Sequence, residues 1–241
     1  MESTDIAMAT CNRCGQVFTY EPLMIGTEDF GKLIHTHCEH CAFQVAAEES
    51  KRAAEERDAA IEQAIRAQLP PDLLATDPRK PEFNYELWGV VSKWRPGRDE
   101  FWLGIIGQAG VCKTRCMALL AQKAMRAGIR VTWTTANRLK DAASDRNHRE
   151  KTVSLLARDH LEDCKHAAWL FLDDFGKNEW TPAFESQLFQ ILDHRKNYRL
   201  PVVFSSNAHP NEFSQAITAL NAKPIIGRLL DRVTIIDLLE N

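Results

Sequence analysis

The chain has 241 residues, of which 44% are hydrophobic and 26% charged, and its formal net charge is −3. This length accommodates one full hydrophobic core and a small additional module. The slight negative charge excludes a protein that binds polyanions through its overall charge. No apolar run approaches the ~20 residues of a membrane-spanning helix, and the first residues lack the basic and apolar regions of a signal peptide. We therefore expect a cytoplasmic protein whose seven cysteines are thiols or metal ligands rather than disulfides.

Two Cys-x-x-Cys pairs lie near the start of the chain, and 23 residues separate them: Cys11 with Cys14, and Cys38 with Cys41. Each pair can place two thiolates on one side of a tight turn, so two pairs can complete a tetrahedral four-thiolate zinc site. A redox role requires one such pair beside a βαβ pattern, which this region lacks. We therefore predict that residues 1–41 form a zinc ribbon, stabilised by Zn²⁺ rather than by a core. Nearby histidines are alternative ligands or ordinary surface residues: His35, His37 and His40.

Residues 42–99 have the pattern of a helical connector. The stretch 43–68 is rich in Ala, Glu, Lys and Arg, with apolar residues at helical spacing, which predicts an exposed helix with a narrow apolar stripe. Pro70 and Pro71 end this helix. A second, aromatic-rich helix is predicted over 85–94, packed on the domain that follows.

Residues 100–241 begin with an apolar strand and a phosphate-binding pattern. The P-loop pattern G-x-x-x-x-G-K-[ST] is matched except where Cys112 replaces the second glycine. Backbone N–H groups of such a loop cradle the phosphates of ATP, Lys113 would reach the β- and γ-phosphates, and the Thr114 hydroxyl would bind Mg²⁺. Cys112 harms the loop only if its position requires a positive φ or a close backbone approach. The predicted nucleotide-binding residues of the loop are Gly107, Gln108, Ala109, Gly110, Val111, Cys112, Lys113 and Thr114.

A later apolar strand ends in two carboxylates, Asp173 and Asp174, about sixty residues after Lys113. This is a Walker B pattern, in which Asp173 would hold Mg²⁺ and Asp174 would orient the attacking water. That second position is more often Glu, and the shorter Asp predicts slow hydrolysis. Without the P-loop upstream, the two acids could equally be solvated side chains at the end of a buried strand rather than a Walker B motif.

Two more polar residues are placed by later strands. A strand over 201–207 ends in Asn207, which either senses the γ-phosphate and the attacking water or caps a turn. Arg232 ends a short helix predicted over 225–232 and precedes the last strand, where it can act as a finger on the nucleotide of a neighbouring subunit. The alternative for Arg232 is an ion pair within the chain, with Asp231 or Asp237.

Together these motifs resemble the AAA+ family of ATPases over about residues 100–238. The resemblance rests on GQAGVCKT, WLFLDDFGK, VVFSSN and GRLLDR, in the family's order and at its spacing. It implies an α/β fold in which a parallel sheet of strand order 5-1-4-3-2 is flanked by helices and binds ATP at the carboxyl ends of the strands. It also implies the roles given above for Asp173, Asp174 and Asn207, and it favours Arg232 over Arg228 as the finger.

The chain ends three residues after the last predicted strand, so it is expected to lack the C-terminal helical lid of the family. This form is similar to DnaC-type replicative helicase loaders and IstB-type transposition ATPases, and one branch of the loaders carries an N-terminal zinc module that contacts the helicase. We therefore expect an ATP-dependent helicase loader that binds the replicative helicase and single-stranded DNA and forms a homo-oligomer, in a bacterium or, if phage-encoded, in the host cytoplasm. Two alternatives stay open: a transposition ATPase that binds double-stranded DNA and a transposase, and a zinc-bearing adaptor with an inactive nucleotide site.

Overall fold

The structure is a computed structural model, and it describes residues 6–176, 180–209, 212 and 219–239. Backbone contacts divide the chain into two compact units, one up to Ala60 and the other from Ile61 onward. The division into 1–41, 42–99 and 100–241 stays a prediction. Within the described ranges, none of the helices is long and apolar enough to cross a membrane.

The first unit is built from short elements, in chain order β1 (Ala7–Thr10), β2 (Val17–Tyr20), β3 (Met24–Ile25), β4 (Glu28–Asp29), α1 (Gly31–Ile34) and the start of α2 (Glu39–Gln68). Strand β1 pairs antiparallel with β2, and β3 pairs antiparallel with β4. The buried Tyr20 connects the two hairpins, because its hydroxyl donates a hydrogen bond to Asp29 Oδ2 at 2.6 Å. Few apolar side chains are buried here, so this unit needs stabilisation from another source.

The second unit contains the end of α2 and alternates strands with helices. Its further elements are α3 (Pro71–Leu74), α4 (Tyr85–Val91), β5 (Trp102–Gly107), α5 (Lys113–Arg126), β6 (Val131–Thr135), α6 (Ala136–Asp145), α7 (Lys151–His166), β7 (Trp169–Phe175), α8 (Pro182–Asn197), β8 (Val202–Ser206), α9 (Ala219–Leu230) and β9 (Val233–Leu238). The helix predicted over 43–68 begins earlier, at Glu39. The helix predicted over 85–94 ends at Val91, because residues 92 and 93 form turns. Alternation of this kind is typical of a parallel sheet covered by helices on both faces.

The five strands form one parallel sheet of order β6-β7-β8-β5-β9. Numbered along this domain alone, that is the predicted order 5-1-4-3-2, which is confirmed. Side chains of β5 alternate between two cores: Trp102 packs with residues of α6 to α9 on one face, and Leu103 and Ile105 pack with α4, α5 and the end of α2 on the other. Both faces of β5 are thus buried, as the apolar run in the sequence predicts.

One buried cation stabilises the end of the sheet where the strands begin, opposite the P-loop. Arg195 in α8 is fully buried, and burial lowers its pKa to about 9, so it stays charged at neutral pH. Its Nη1 donates to the carbonyl oxygens of Cys164 (3.0 Å) and Ala167 (2.9 Å) at the end of α7, and its Nη2 donates to that of Pro201 (2.6 Å). The guanidinium therefore satisfies helix-terminal carbonyls and joins α7 to the start of β8.

Replacing Arg195 with Met is expected to lower the free energy of unfolding by about 3–5 kcal/mol, because several buried carbonyl oxygens lose their donors. Urea denaturation followed by circular dichroism measures this change. The control is Arg66→Met on the exposed face of α2, which should change stability by less than ~0.5 kcal/mol. Equal effects of the two substitutions would contradict this role for Arg195.

Candidate functional site

A cleft of about 640 Å³ opens at the carboxyl ends of the sheet strands. The residues that line it come from the P-loop, from the ends of β6, β7 and β8, and from the segment before α4. They are Glu82, Ala109, Gly110, Cys112, Lys113, Thr114, Arg115, Thr135, Asn137, Asp173, Asp174, Ser205 and Asn207. In open α/β sheets the strands' carboxyl ends are the usual position for a bound ligand.

The loop from Gly107 to Thr114 joins β5 to the start of α5 and curves around the Lys113 amine. Lys113 is buried, and its Nζ donates to the carbonyl oxygens of Gly107 (2.8 Å) and Gln108 (2.7 Å). Gly107 has no room for a side chain, since a Cβ there would lie 2.7 Å from the Cβ of Leu238 in β9. The loop thus holds a cation at the start of a helix, where the backbone N–H groups also favour an anion.

Cys112 occupies a backbone conformation that favours glycine. Its φ is 68°, in the left-handed region, and it is the residue that precedes α5. The sequence leaves open whether the residue at position 112 needs a positive φ, and in the structure Cys112 adopts one. The thiol donates to the carbonyl oxygen of Glu82, with Sγ and O 3.4 Å apart, so the side chain contacts the segment before α4. A small side chain is accommodated here at a conformational cost of about 1–2 kcal/mol.

We expect Cys112→Gly to raise the free energy of unfolding by about 0.5–1 kcal/mol, because relief of the left-handed conformation exceeds the loss of one weak thiol hydrogen bond. Cys112→Val should have the opposite sign and weaken ATP binding, since a β-branched residue tolerates positive φ poorly. Thermal melting and ATP titration of both variants check this. A valine variant as stable as the glycine variant would show that the loop is not constrained at this position.

Thr114 and Asp173, the two predicted Mg²⁺ ligands, are in direct contact. Thr114 Oγ1 donates to Asp173 Oδ1 at 2.8 Å, and Ser205 Oγ donates to the same oxygen at 2.5 Å. Burial raises the pKa of Asp173, the negative charge of Asp174 adds to this effect, and the two hydroxyl hydrogen bonds oppose it. A hydroxyl and a buried carboxylate on one side of a cleft are the oxygen ligands that Mg²⁺ prefers. The donor set therefore fits a magnesium ion held with a nucleotide.

A β-bulge directs both adjacent acids into the cleft. Leu172 of β7 is opposite Phe204, but Phe175 rather than Asp174 is opposite Ser206, so β7 has one extra residue here. Asp174 has a φ of 55°, and its backbone N–H donates to Ser205 Oγ at 3.0 Å. Neighbouring side chains of a regular strand point to opposite faces, whereas Asp173 and Asp174 both line the cleft.

Asn207 lines the same cleft, one residue beyond β8. Ser206 fixes the turn around it, because the Ser206 hydroxyl donates to Ala208 O at 2.7 Å and accepts from Ala208 N at 3.0 Å. The structure therefore brings Asn207 together with the P-loop and both acids. Its role as a sensor stays a prediction.

The two arginines considered as fingers lie away from this cleft. The predicted helix ends at Leu230 rather than Arg232, and Arg232 follows in a turn with a φ of 69°. Arg232 lies near Asp99 (3.7 Å) and Asp231 (3.4 Å), so one of the two ion pairs left open by the sequence is present. Because Arg232 precedes β9, it lies at the end of the sheet opposite the P-loop, away from the cleft of its own chain. Its role as a finger stays a prediction. Arg228 is paired with Asp193 at 2.6 Å.

Several cleft residues were missed by the sequence analysis. Ser205 lies inside an apolar strand. Thr135 is the last residue of β6, the strand farthest from β9, and Asn137 lies just beyond it. The available signal was that β6, β7 and β8 each end in, or close to, polar residues at the same edge of the parallel sheet. Glu82 and Arg115 give no such signal, since their positions depend on the packing of the segment before α4 and on the first turn of α5.

The four predicted zinc ligands converge in the first unit. The sulfur atoms of Cys11, Cys14, Cys38 and Cys41 all lie within 4.8 Å of one another, and Cys14 Sγ is 3.8 Å from Cys38 Sγ. Tetrahedral Zn–S bonds of about 2.3 Å require sulfur atoms about 3.8 Å apart. Burial and the neighbouring thiols raise the pKa of Cys41 to about 12. The spacing of the four sulfur atoms therefore fits a tetrahedral zinc site.

The histidines beside this cluster contact other groups. His35 stacks on Tyr20 with ring centroids 5.2 Å apart, His37 Nδ1 is 2.9 Å from Thr36 Oγ1, and His40 Nε2 is 3.0 Å from Gln44 Nε2. These contacts favour the four-cysteine ligand set over one that includes a histidine.

Residues 98–240 match a protein family described as IstB-like ATP binding protein. No curated protein matches the chain. Among solved structures, a proposed primosome component from Streptococcus pyogenes is similar with a TM-score of 0.55 and 22% identity, covering 75% of this chain and 95% of that one. DnaI is similar with a TM-score of 0.54 and 20% identity, covering 73% of this chain and 93% of that one.

A DnaC helicase loader is similar with a TM-score of 0.51 and 16% identity, covering 69% of this chain and 95% of that one. The chain spans less than half of some larger matching structures, for example 45% of DnaA from Aquifex aeolicus and 48% of a DNA replication initiation factor. At these identities the structural likeness shows the fold, which is that of a P-loop AAA+ ATPase domain.

Proposed function

The chain belongs to the family of IstB-like ATP-binding proteins, and we propose that it is a Mg²⁺-dependent ATPase that acts as a loader of a replicative helicase. One observation carries the proposal: a single cleft brings together Lys113, Thr114, Asp173, Asp174 and Asn207, which three separate segments of the chain supply. This is the set of groups that phosphoryl transfer from ATP requires.

Each group has a distinct task in the proposed reaction. The Lys113 amine leaves its carbonyl partners to bind the β- and γ-phosphates, and the loop N–H groups hold the other phosphate oxygens. Thr114 and Asp173 would hold Mg²⁺, which would neutralise charge on the phosphates. Asp174 accepts a hydrogen bond from the attacking water, and Asn207 orients that water or the γ-phosphate.

Hydrolysis is proposed to be slow, so the protein works as a switch. The Asp174 side chain is one methylene shorter than Glu, and its backbone is in a left-handed conformation that directs it into the cleft. A carboxylate that does not reach the optimal position for the water loses part of the rate gained by orientation. Binding of ATP, rather than its rapid turnover, would then control assembly.

Assembly and partners follow from the rest of the molecule. Arg232 is proposed to complete the cleft of a neighbouring copy, since its position at the opposite sheet edge keeps it from its own nucleotide. The four-cysteine module is proposed to bind Zn²⁺ and contact the helicase, and the ATPase domain to contact single-stranded DNA in the cytoplasm. Support comes from the similarity in fold to a DnaC helicase loader.

A second function is favoured by the family match itself. The matched family is named for an IstB-like protein, so a transposition ATPase that binds double-stranded DNA and a transposase is the other candidate. Capture of the purified replicative helicase on the immobilised chain, with ATP and Mg²⁺, separates the two. Failure to capture helicase, together with ATP-dependent binding of double-stranded DNA, would favour the transposition role.

The test of the ATPase proposal is calorimetric titration with ATP and Mg²⁺, followed by phosphate release with and without single-stranded DNA. Lys113→Ala should weaken ATP binding by about 10- to 100-fold, because one charged hydrogen-bond donor to the phosphates is lost. Lys123→Ala, on the exposed side of the same helix, is the control and should bind ATP normally. If the wild type does not bind ATP, the ATPase proposal fails, and the remaining hypothesis is a zinc-bearing adaptor with an inactive nucleotide site.

A further inference from the structure

Ser205 connects the two acids of the cleft and has no role in the predicted motifs. It is the fourth residue of β8, is 1% exposed, and lies between β5 and β7 in the sheet. Its neighbour on β5 is Ile105, the second residue before the P-loop glycine Gly107. The hydroxyl is therefore a buried polar group in the interior of the sheet, next to the carboxylate proposed to bind the metal.

Both hydrogen-bonding functions of this hydroxyl are used. Ser205 Oγ donates its only proton to Asp173 Oδ1 at 2.5 Å and accepts from the backbone N–H of Asp174 at 3.0 Å. It thereby fixes one oxygen of the first acid and the backbone of the second. Asp173 itself lines the cleft, where a metal ligand is needed.

The bond from Ser205 differs in kind from the bond that Thr114 makes to the same oxygen. Thr114 Oγ1 also donates to Asp173 Oδ1, at 2.8 Å. A P-loop threonine uses its oxygen as a metal ligand once Mg²⁺ and nucleotide are present. Thr114 would then turn toward the ion, and Ser205 would be the donor that continues to orient Asp173.

The bulge in β7 explains why a side chain is needed here. The extra residue interrupts the regular pairing between β7 and β8 at Asp174. Ser205 Oγ supplies an acceptor to the N–H of Asp174 at this point. An alanine at 205 would leave that buried N–H without this acceptor and Asp173 without this donor.

We propose that Ser205 is a positioning residue that orients Asp173 for Mg²⁺ and holds the bulge that directs Asp174 to the attacking water. This inference rests on the proposed ATPase function. Ser205 contacts neither nucleotide nor metal in this role and acts only through the two acids. Groups that orient a metal ligand typically change metal affinity or activity by about 10- to 100-fold when removed.

The experiment compares full-length wild type, Ser205→Ala and Ser205→Thr, with Ser154→Ala as the control. Ser154 is also a buried serine whose hydroxyl donates to a carbonyl oxygen, that of Arg146 at 2.7 Å, but it lies in α7 outside the cleft. Three quantities are measured: ATP affinity in EDTA, the Mg²⁺ concentration for half-maximal ATPase activity, and kcat at saturating Mg²⁺. Melting temperatures of all four proteins record any general loss of stability.

Ser205→Ala should bind ATP in EDTA within about twofold of wild type, while its Mg²⁺ requirement rises and its kcat falls by about 10-fold or more. Ser205→Thr keeps the hydroxyl and should restore most of both losses. A Ser205→Ala protein that only melts earlier, as Ser154→Ala does, with an unchanged Mg²⁺ requirement, would overturn the positioning role and leave the ATPase proposal intact. A wild type without ATP binding would overturn both.

Discussion

Asp173→Asn is expected to reduce Mg²⁺-dependent ATP hydrolysis by about 10³-fold, a loss of about 4 kcal/mol in transition-state stabilisation. The amide preserves the shape of the carboxylate and can accept the hydrogen bonds from Thr114 and Ser205, so the cleft should keep its structure. The loss arises because a neutral amide oxygen is a weaker Mg²⁺ ligand than a carboxylate. Phosphate release at saturating ATP and Mg²⁺ measures the effect.

The same substitution should not destabilise the protein, which separates a functional loss from a folding defect. Burial raises the pKa of Asp173 above its usual value of 3.8, so in the absence of metal the ionised carboxylate opposes folding at neutral pH. A group with a raised pKa supports stability most at pH values below its usual pKa, and that support is lost as the pH rises through the raised value. Without nucleotide, Asp173→Asn should therefore melt at or above the wild-type temperature at pH 7.

The control is Asp159→Asn, which replaces an exposed carboxylate on α7 and should leave hydrolysis within about twofold of wild type. Turnover by Asp173→Asn within tenfold of wild type would remove Asp173 from the metal site. An early melting transition of Asp173→Asn would instead assign the acid a structural role.

Removal of zinc is expected to unfold the first unit while the second stays folded. Apparent binding free energies of structural zinc are about 10–16 kcal/mol, which exceeds what the few buried side chains of this unit supply. Cys14→Ser should therefore lose one equivalent of zinc per chain, and protease digestion should remove the region before about residue 60. Metal analysis and limited proteolysis of the full chain measure both effects.

Cys112→Ser is the matched control, because this cysteine lies in the P-loop and outside the four-sulfur cluster. It should retain a full equivalent of zinc and resist the protease as wild type does. Full zinc occupancy in Cys14→Ser would show that the cluster is not the binding site. Protease resistance after chelation of the wild type would show that the unit folds without metal.

The elements of the sheet were predictable because their strands are largely apolar runs, and β5, β7 and β8 end close to polar residues of the cleft. Lys113 follows β5, Asp173 lies near the end of β7 and Asn207 follows β8, so parallel pairing alone brings them to one edge. The strand order, in contrast, could be predicted only from the family resemblance, because nothing local in the sequence specifies which strands are neighbours. Local pattern and tertiary order thus have different sources.

The parts that were missed depend on contacts between distant segments. Ser205 gains its role because β8 lies beside a bulge in β7, and the bulge is visible only in the pairing register. Arg195 resembles any surface arginine at a helix end until α7 and β8 enclose it. Sequence periodicity reports which face of an element is apolar, but it does not report which polar group that face meets.

The backbone at Cys112 also bears on how phosphate-binding loops are recognised in other chains. A search pattern written in amino-acid letters rejects this loop at its sixth position, whereas a pattern written in dihedral angles accepts it, because the φ of 68° is the one a glycine would adopt. Among other residues, Asn, Asp and His enter this region several times more often than the average side chain. A sequence pattern that allows several residue types at that position, followed by a fixed lysine and threonine, would find loops that the stricter pattern misses.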